Sequence, residues 1–413
     1  MTDLVEQIIK ACEEIDRLDP KIHSFLPEPD RLQRLTKDAE TLTQKYENKP
    51  KPPLFGLLVG IKDIFRVDGL PTQAGSRLPT ELFAGDESVV VTRLKKAGAL
   101  ILGKTVSTEF AAGEPNETVN PVNHAYSPGG SSSGSAAAVA AGLCPLAIGS
   151  QTIGSTLRPA SYCGIVGFKP SFGRIAISGA IDYAPSLDTV GLFAKTVQGL
   201  MPAAEVLLKD WQIPETTPRP VLGIPDGQYL TQPDREIQNV FMKTIKKLEE
   251  HGYTVKHIPM FRDIAEINET LWQVATYEMA RVHTTHGWYP KYKDLYRPKT
   301  IALIEKGLAI SEETYQNAKT KQNLLRKTIR TEMKKHGIDI WISPAALTYA
   351  PEMKLSFTGD PAMNIPWTFA GLPSLSLPIK DSVPLPLGLQ LVGEFGEDEK
   401  LLKESQEIEQ TVC

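Results

Sequence analysis

Apolar residues along this chain recur either every three to four positions or in short uninterrupted runs. The first pattern marks helices with one buried stripe; the second marks strands buried on both faces. At the N-terminus Leu4, Ile8, Cys12, Ile15 and Leu18 keep helical spacing, which predicts an amphipathic helix docked on the core. Leu54 to Ile64 reads as a strand that contains Lys62. Val89 to Lys96 reads as a helix, and Ala99 to Leu102 as a strand. Ala136 to Ala141 is a run of small residues, apolar on every side, so the helix it predicts is buried. Gly142 stops that helix, and Pro145 to Ile148 follows as a short buried strand.

Residues 174–197 read as loops and short strands, and Ala203 to Leu208 finishes a helix. Pro214, Pro218, Pro220 and Pro225 predict a crossover segment. From Asp234 to about Gly337 the pattern is mostly helical. Ile237, Val240, Phe241, Ile245 and Leu248 mark one helix, Leu271 to His286 another, and Ser311 caps a long charged one reaching His336. Strands return at Ile338 to Ile342 and at Leu375 to Ile379. Mixed strands and helices without an internal repeat predict an α/β fold. We expect a single domain of 413 residues, made of an N-terminal helical segment (1–50), a core (54–205), a helical layer (234–337) and a return to the sheet (338–413).

The composition is that of a globular protein, 41% apolar and 23% charged with net charge −4, and it gives no basic surface for nucleic acid or anionic membrane. No stretch approaches the ~18–20 apolar residues of a membrane span. The N-terminus lacks the basic and apolar regions of a signal peptide, so a cytoplasmic location is expected. Cys12, Cys144, Cys163 and Cys413 have no paired spacing, which suits a reducing compartment and speaks against a zinc site.

Candidate chemistry sits in two serine-bearing turns, Gly129 to Ser132 and Gly149 to Ser155, on either side of the alanine-rich helix. Composition alone allows a flexible linker or a structural turn. Flanking core segments argue instead for a nucleophile platform, where successive backbone N–H groups converge on an oxyanion. Lys62 has two readings, an edge-strand lysine neutralised by Asp63 or a general base whose pKa is lowered by desolvation. The two serine turns favour the second. No histidine other than His124 lies near either turn, so lysine is the remaining base for a serine hydroxyl.

Three other features carry less. Gly98 to Thr105 matches the phosphate-loop pattern G-x4-G-K-T, but its four variable residues are themselves a strand and a helix precedes them. That order is wrong for a phosphate cradle. His283 and His286 stand at i, i+3 on a helix without a third metal ligand nearby. Asp360 to Thr368 is polar and aromatic, most simply a packing segment.

Taken together, Gly60-Ile61-Lys62-Asp63, Gly129-Gly130-Ser131-Ser132, Ser155 with Arg158-Pro159-Ala160, Gly167-Phe168-Lys169-Pro170 and Ser186 to Gly191 resemble the amidase signature family. Gly371-Leu372-Pro373 and Leu385 to Gln390 extend the resemblance towards the C-terminus. It implies one large mixed sheet surrounded by helices and a Ser–Ser–Lys triad. Ser155 would attack an amide carbonyl, Ser131 would relay the proton, and Lys62 would be the neutral base. The resemblance also implies a cis peptide at Gly130–Ser131, an oxyanion hole from the backbone of Thr152, Ile153, Gly154 and Ser155, and substrate contacts from Gly130, Ser132 and Arg158. Relatives carry a stretch like Asn364 to Thr368 near the substrate pocket.

The spacing around the nucleophile departs from most members. Ile153-Gly154 stands where they have two glycines, Arg158 lies three residues after Ser155 rather than two, and Gln151 replaces a frequent aspartate. These features resemble compact malonamidase-type bacterial amidases more than the longer A subunits of tRNA-dependent amidotransferases. The implied activity is hydrolysis of a small carboxylic amide to carboxylate and ammonia through an acyl-enzyme, with no cofactor and no metal. Arg158 either binds a substrate carboxylate or only orders the turn. The partner would be a small-molecule amide, and by analogy a second copy in a homodimer. The alternative readings are an A-type subunit of a glutamine-dependent amidotransferase and an inactive amidase-like binding protein.

Overall fold

The computed structural model describes residues 2–213, 219–380 and 382–413; Pro214 and Pro218 of the proline-dense crossover lie outside the described residues. Ten strands form one mixed sheet: β1 (Leu58–Lys62), β2 (Leu100–Thr105), β3 (Leu146–Gln151), β4 (Val166–Lys169), β5 (Thr189–Ala194), β6 (Leu222–Asp226), β7 (Val255–Pro259), β8 (Ile340–Pro344), β9 (Ser374–Pro378) and β10 (Gly388–Val392). Their order is β2-β1-β3-β5-β4-β9-β10-β8-β6-β7. The β2-β1-β3 group and the β8-β6-β7 group are parallel, and the strands between them pair antiparallel. Nine strands are almost wholly buried, as covering by helices on both faces requires.

The N-terminal periodicity forms α1 (Thr2–Ile22), which pairs with α2 (Arg31–Lys45). Ile8, Cys12, Ile15, Leu35 and Leu42 bury their stripe against β1, β2 and the small-residue helix α4 (Ser133–Ala140). Burying each large aliphatic side chain contributes roughly 1.5–3 kcal/mol. α3 (Val89–Lys96) precedes β2 as expected. α4 lies so close to the chain that a Cβ on Gly134 would stand 2.3 Å from Ser24 O and Val106 N, so only glycine fits there. α5 (Leu157–Cys163) and α6 (Val197–Leu207) follow the second serine turn and β5.

The stretch expected to be helical contains α7 (Arg235–Glu250), α8 (Ile264–Thr285), α9 (Pro298–Leu308) and α10 (Glu312–His336). Ser311 caps α10 by accepting from Thr314 N, and Gly337 ends it in the left-handed conformation. Two boundaries differ from the sequence reading. β7 interrupts the helices; it is an edge strand with only Ile258 buried, so it offers no apolar run to read. α8 begins at Ile264, seven residues before Leu271, because Ile264 and Ile267 continue its stripe among polar neighbours. α11 (Ile365–Phe369) and α12 (Asp398–Val412) complete the cover. Among the described residues no helix is long and apolar enough to cross a membrane.

Candidate active site

Lys62 is the last residue of β1, and the sheet delivers its side chain into an interior from which water is excluded. Burial alone pushes its pKa down from 10.5 to about 7, partly opposed by the negative charge of Asp188. Its Nζ lies 2.7 Å from Ser131 Oγ and 2.8 Å from Ser150 Oγ. Asp63 does not neutralise it. That carboxylate pairs instead with Lys104 at 2.8 Å and accepts from Gln73 N. The lysine of the phosphate-loop look-alike is thus half of a buried ion pair on β2, and Gly98 is the positive-φ turn between α3 and that strand.

Burial by itself does not single out a base. Lys169 is also fully buried with its pKa lowered to about 7, yet its Nζ donates to the carbonyls of Pro170 and Leu372. Of these two lysines, Lys62 is the one with hydroxyls around it.

Ser131 lies two residues before α4, fully buried, and the Gly130–Ser131 peptide is cis. Ser132 turns away from the cavity: its Oγ donates to Ser150 O and accepts from Ser150 N, tying α4 to β3. Gly130 contributes its carbonyl, which accepts from Arg158 Nη2 at 2.6 Å. Of the residues singled out in the sequence, Thr152 to Ser155 and Arg158 line the cavity beside the second serine turn, whereas Lys62, Gly130, Ser131 and Ser132 lie behind its lining.

The second serine turn is shorter than its sequence suggests, because β3 runs on through Gln151. Ser150 therefore belongs to the strand. In the sequence it is marked only by its period-two relation to Ile148, which puts the two on one face of the strand. Thr152, Ile153, Gly154 and Ser155 form the turn itself and line a cavity of about 200 Å³. Among the described residues no protein acceptor takes the N–H groups of these four. Ser155 is at the cavity surface, 8% exposed.

Arg158, on α5, is wholly buried, and Nε donates to Thr358 O at 2.9 Å. Its Nη1 is buried without a partner and would stand 3.3 Å from a Cβ on Gly154. With two of its nitrogens the guanidinium thus ties the carbonyl of Gly130, in the first serine turn, to that of Thr358, and its Nη1 has no protein acceptor among the described residues. Asp188 fixes the start of the turn, accepting from Thr152 Oγ1 at 2.5 Å and from the N–H groups of Tyr183 and Ala184; burial raises its pKa to about 7. Trp272, Leu303 and Phe357 give the cavity an apolar side, and Asp360 and Pro361 a wall.

A larger cavity, about 630 Å³, runs along α8 and α10 and contains none of these residues; much of its charged rim is self-paired, Lys321 with Glu266 and His336 with Glu332. His283 is a core residue. Its Nδ1 is 2.8 Å from Tyr296 Oη, Phe110 and Trp288 enclose it, and burial lowers its pKa to about 3, so it is neutral. His286 is exposed, and no group of three metal-ligating side chains occurs among the described residues.

The family model described as Amidase matches residues 6–402. The A subunit of glutamyl-tRNA(Gln) amidotransferase from Cyanothece sp. is 32% identical, covering 97% of this chain and 93% of that protein. Its counterpart from Psychrobacter cryohalolentis is 32% identical, covering 99% and 92%. A crystal structure of an amidase superposes with a TM-score of 0.88 at 28% identity, covering 99% of this chain and 96% of the other. These relatives are A subunits, the kind that the sequence pattern was expected to set apart from this chain. The alignment to the Cyanothece protein extends over 456 positions against 413 residues here, so within it this chain lacks segments that the relative has. With the family model spanning residues 6–402 and relatives 32% identical over nearly the whole chain, the chain belongs to the amidase signature family.

Proposed function

We propose that this protein hydrolyses a small amide that also bears a carboxylate, through an acyl-enzyme on Ser155. The observation that carries the catalytic part is Lys62, fully buried, held near neutrality and 2.7 Å from Ser131 Oγ without a carboxylate on it. A neutral amine accepts the Ser131 proton as Ser131 accepts that of Ser155. Ser155 Oγ then bonds to the amide carbon, and the resulting oxyanion is met by the free N–H groups of the turn. The proton returns through Ser131 to the leaving nitrogen, ammonia departs, and water repeats the sequence on the ester. Apo hydrogen bonds in such relays are often unformed until substrate binds, which fits a Ser155 not yet bonded to Ser131.

Arg158 supports the carboxylate. A buried guanidinium nitrogen with no acceptor costs free energy unless a ligand supplies one, and a carboxylate is the acceptor it fits. The cavity of about 200 Å³ limits the substrate to a short spacer between amide and carboxylate.

A second reading has its own support: the curated relatives at about 32% identity are amidotransferase A subunits. In that case this chain would pass ammonia to a partner protein. Ammonia release from half-amides of short dicarboxylic acids, from glutamine and from neutral amides separates the two. The hydrolase reading expects turnover of the half-amides by the purified chain, and loss of that preference in Arg158→Met. Turnover of glutamine alone, and only once partner proteins are added, would favour the second reading.

A further inference from the structure

We propose that Gln151 and Thr368 are positioning residues that fix the shape of the turn from Thr152 to Leu157, and that position 151 needs an amide to do so. The proposal rests on the reading of this turn as the oxyanion site. Both side chains are buried, Gln151 fully. Gln151 Oε1 accepts from Thr156 N at 2.9 Å and from Leu157 N at 3.1 Å, which holds the far end of the turn. Its Nε2 donates to Thr368 Oγ1 at 2.8 Å, and Thr368 Oγ1 donates to Ile153 O at 2.7 Å, which holds the near end. One ring of hydrogen bonds thus spans the turn from residue 151 to residue 157. It uses up the Ile153 carbonyl and the N–H groups of 156 and 157, and it leaves those of 152 to 155 unclaimed.

The direction of each bond matters. A threonine hydroxyl has a single proton. Because Gln151 donates to it, Thr368 is free to give that proton to Ile153 O. A carboxylate at 151 would keep the two backbone bonds but would take the Thr368 proton itself, since a hydrogen bond to a charged acceptor is the stronger one. The Ile153 carbonyl would then be released and the near end of the turn freed. Asn364, one turn earlier beside α11, leaves no slack on that side: a Cβ on Gly154 would lie 2.4 Å from its Oδ1. The short segment from Asn364 to Thr368 is in this way the back of the oxyanion site.

Four variants test this: Gln151→Glu, Thr368→Val, Thr368→Ser and the double variant Gln151→Glu/Thr368→Val. Each is first shown to be folded by thermal melting. Two readouts follow: the rate at which a fluorophosphonate labels Ser155, and hydrogen exchange of the 152–157 amides. Gln151→Glu and Thr368→Val should each slow labelling roughly 10- to 100-fold, somewhat less than removal of an oxyanion donor itself. Thr368→Ser should restore the wild-type rate, which a role in packing alone would not predict. The double variant should be no slower than either single one, as expected of residues acting through one path. Labelling of Thr368→Val at the wild-type rate, or deficits that multiply in the double variant, would overturn the proposal. If the wild type itself is not labelled, the oxyanion reading fails and exchange alone decides. Faster exchange in Gln151→Glu and Thr368→Val but not in Thr368→Ser supports the brace, and unchanged exchange refutes it.

Discussion

Asp63 gives its carboxylate to Lys104, 2.8 Å away on the neighbouring strand, and not to Lys62, the residue that precedes it. Lys104 stands in register with Ile61, so its side chain lies on the face of the sheet opposite that of Lys62, and Asp63, in the turn just after β1, meets it there. The candidate base is left without a counter-ion in contact, and its amine stays near neutrality.

Both members of that ion pair are almost wholly buried, at 3% and 1% side-chain exposure. Removing one member strands the other charge in the core, a change that costs about 3–5 kcal/mol. Lys104→Met should therefore lower the stability measured by urea unfolding by about that much. Lys104→Met combined with Asp63→Asn should lose less than the sum of the single changes, because no unpaired charge remains. An additive double variant would mean that the two groups are not energetically paired.

Activity should depend on pH through Lys62. The active form is the neutral amine, so the rate of Ser155 labelling should rise as pH increases through about 7, the folded-state pKa, and level off above it. Asp188 raises that pKa through its charge. Asp188→Asn removes the charge while keeping a side-chain acceptor, so the rising limb should move to lower pH by about one unit. Since both groups titrate near pH 7, the wild-type inflection belongs to the pair. A profile that moves upwards in Asp188→Asn would contradict this electrostatic account.

Ser150 holds Lys62 from the strand side, opposite Ser131. Ser150→Ala should slow labelling by roughly 10-fold, in line with loss of one orienting hydrogen bond, while melting temperature stays close to wild type. Ser150→Thr keeps the hydroxyl and should stay near the wild-type rate. Equal rates in Ser150→Ala and wild type would remove this residue from the site.

Much of the fold was readable because its signals are local. The periodicity of α1, the Ser311 cap of α10 and the small-residue run of α4 each appear in a few consecutive residues; α1 and α10 lie where they indicate, and α4 begins three residues before its alanine run, at Ser133. β7 was not readable because an edge strand need not be apolar. The site divided in the same way. Lys62 and Ser131 stand out in the sequence and meet in the structure. Ser150 does not stand out, since it matters through a partner 88 residues away; Thr368 lies in a segment the sequence marks as polar and aromatic, but its tie to Gln151, 217 residues away, has no local sign. Ser132 was expected as a substrate contact on the family resemblance alone; its hydroxyl bonds both the N–H and the carbonyl of Ser150 on β3, a pairing with no local sign.

The central claim is that Ser155 is a nucleophile activated by Lys62 through Ser131. It is tested most directly by intact-protein mass spectrometry after treatment with a fluorophosphonate, on wild type, Ser155→Ala and Lys62→Met. The account expects one adduct on the wild type, none on Ser155→Ala, and labelling slowed by at least about 100-fold on Lys62→Met. A folded wild type that takes no adduct, or a Ser155→Ala variant that still does, would contradict it.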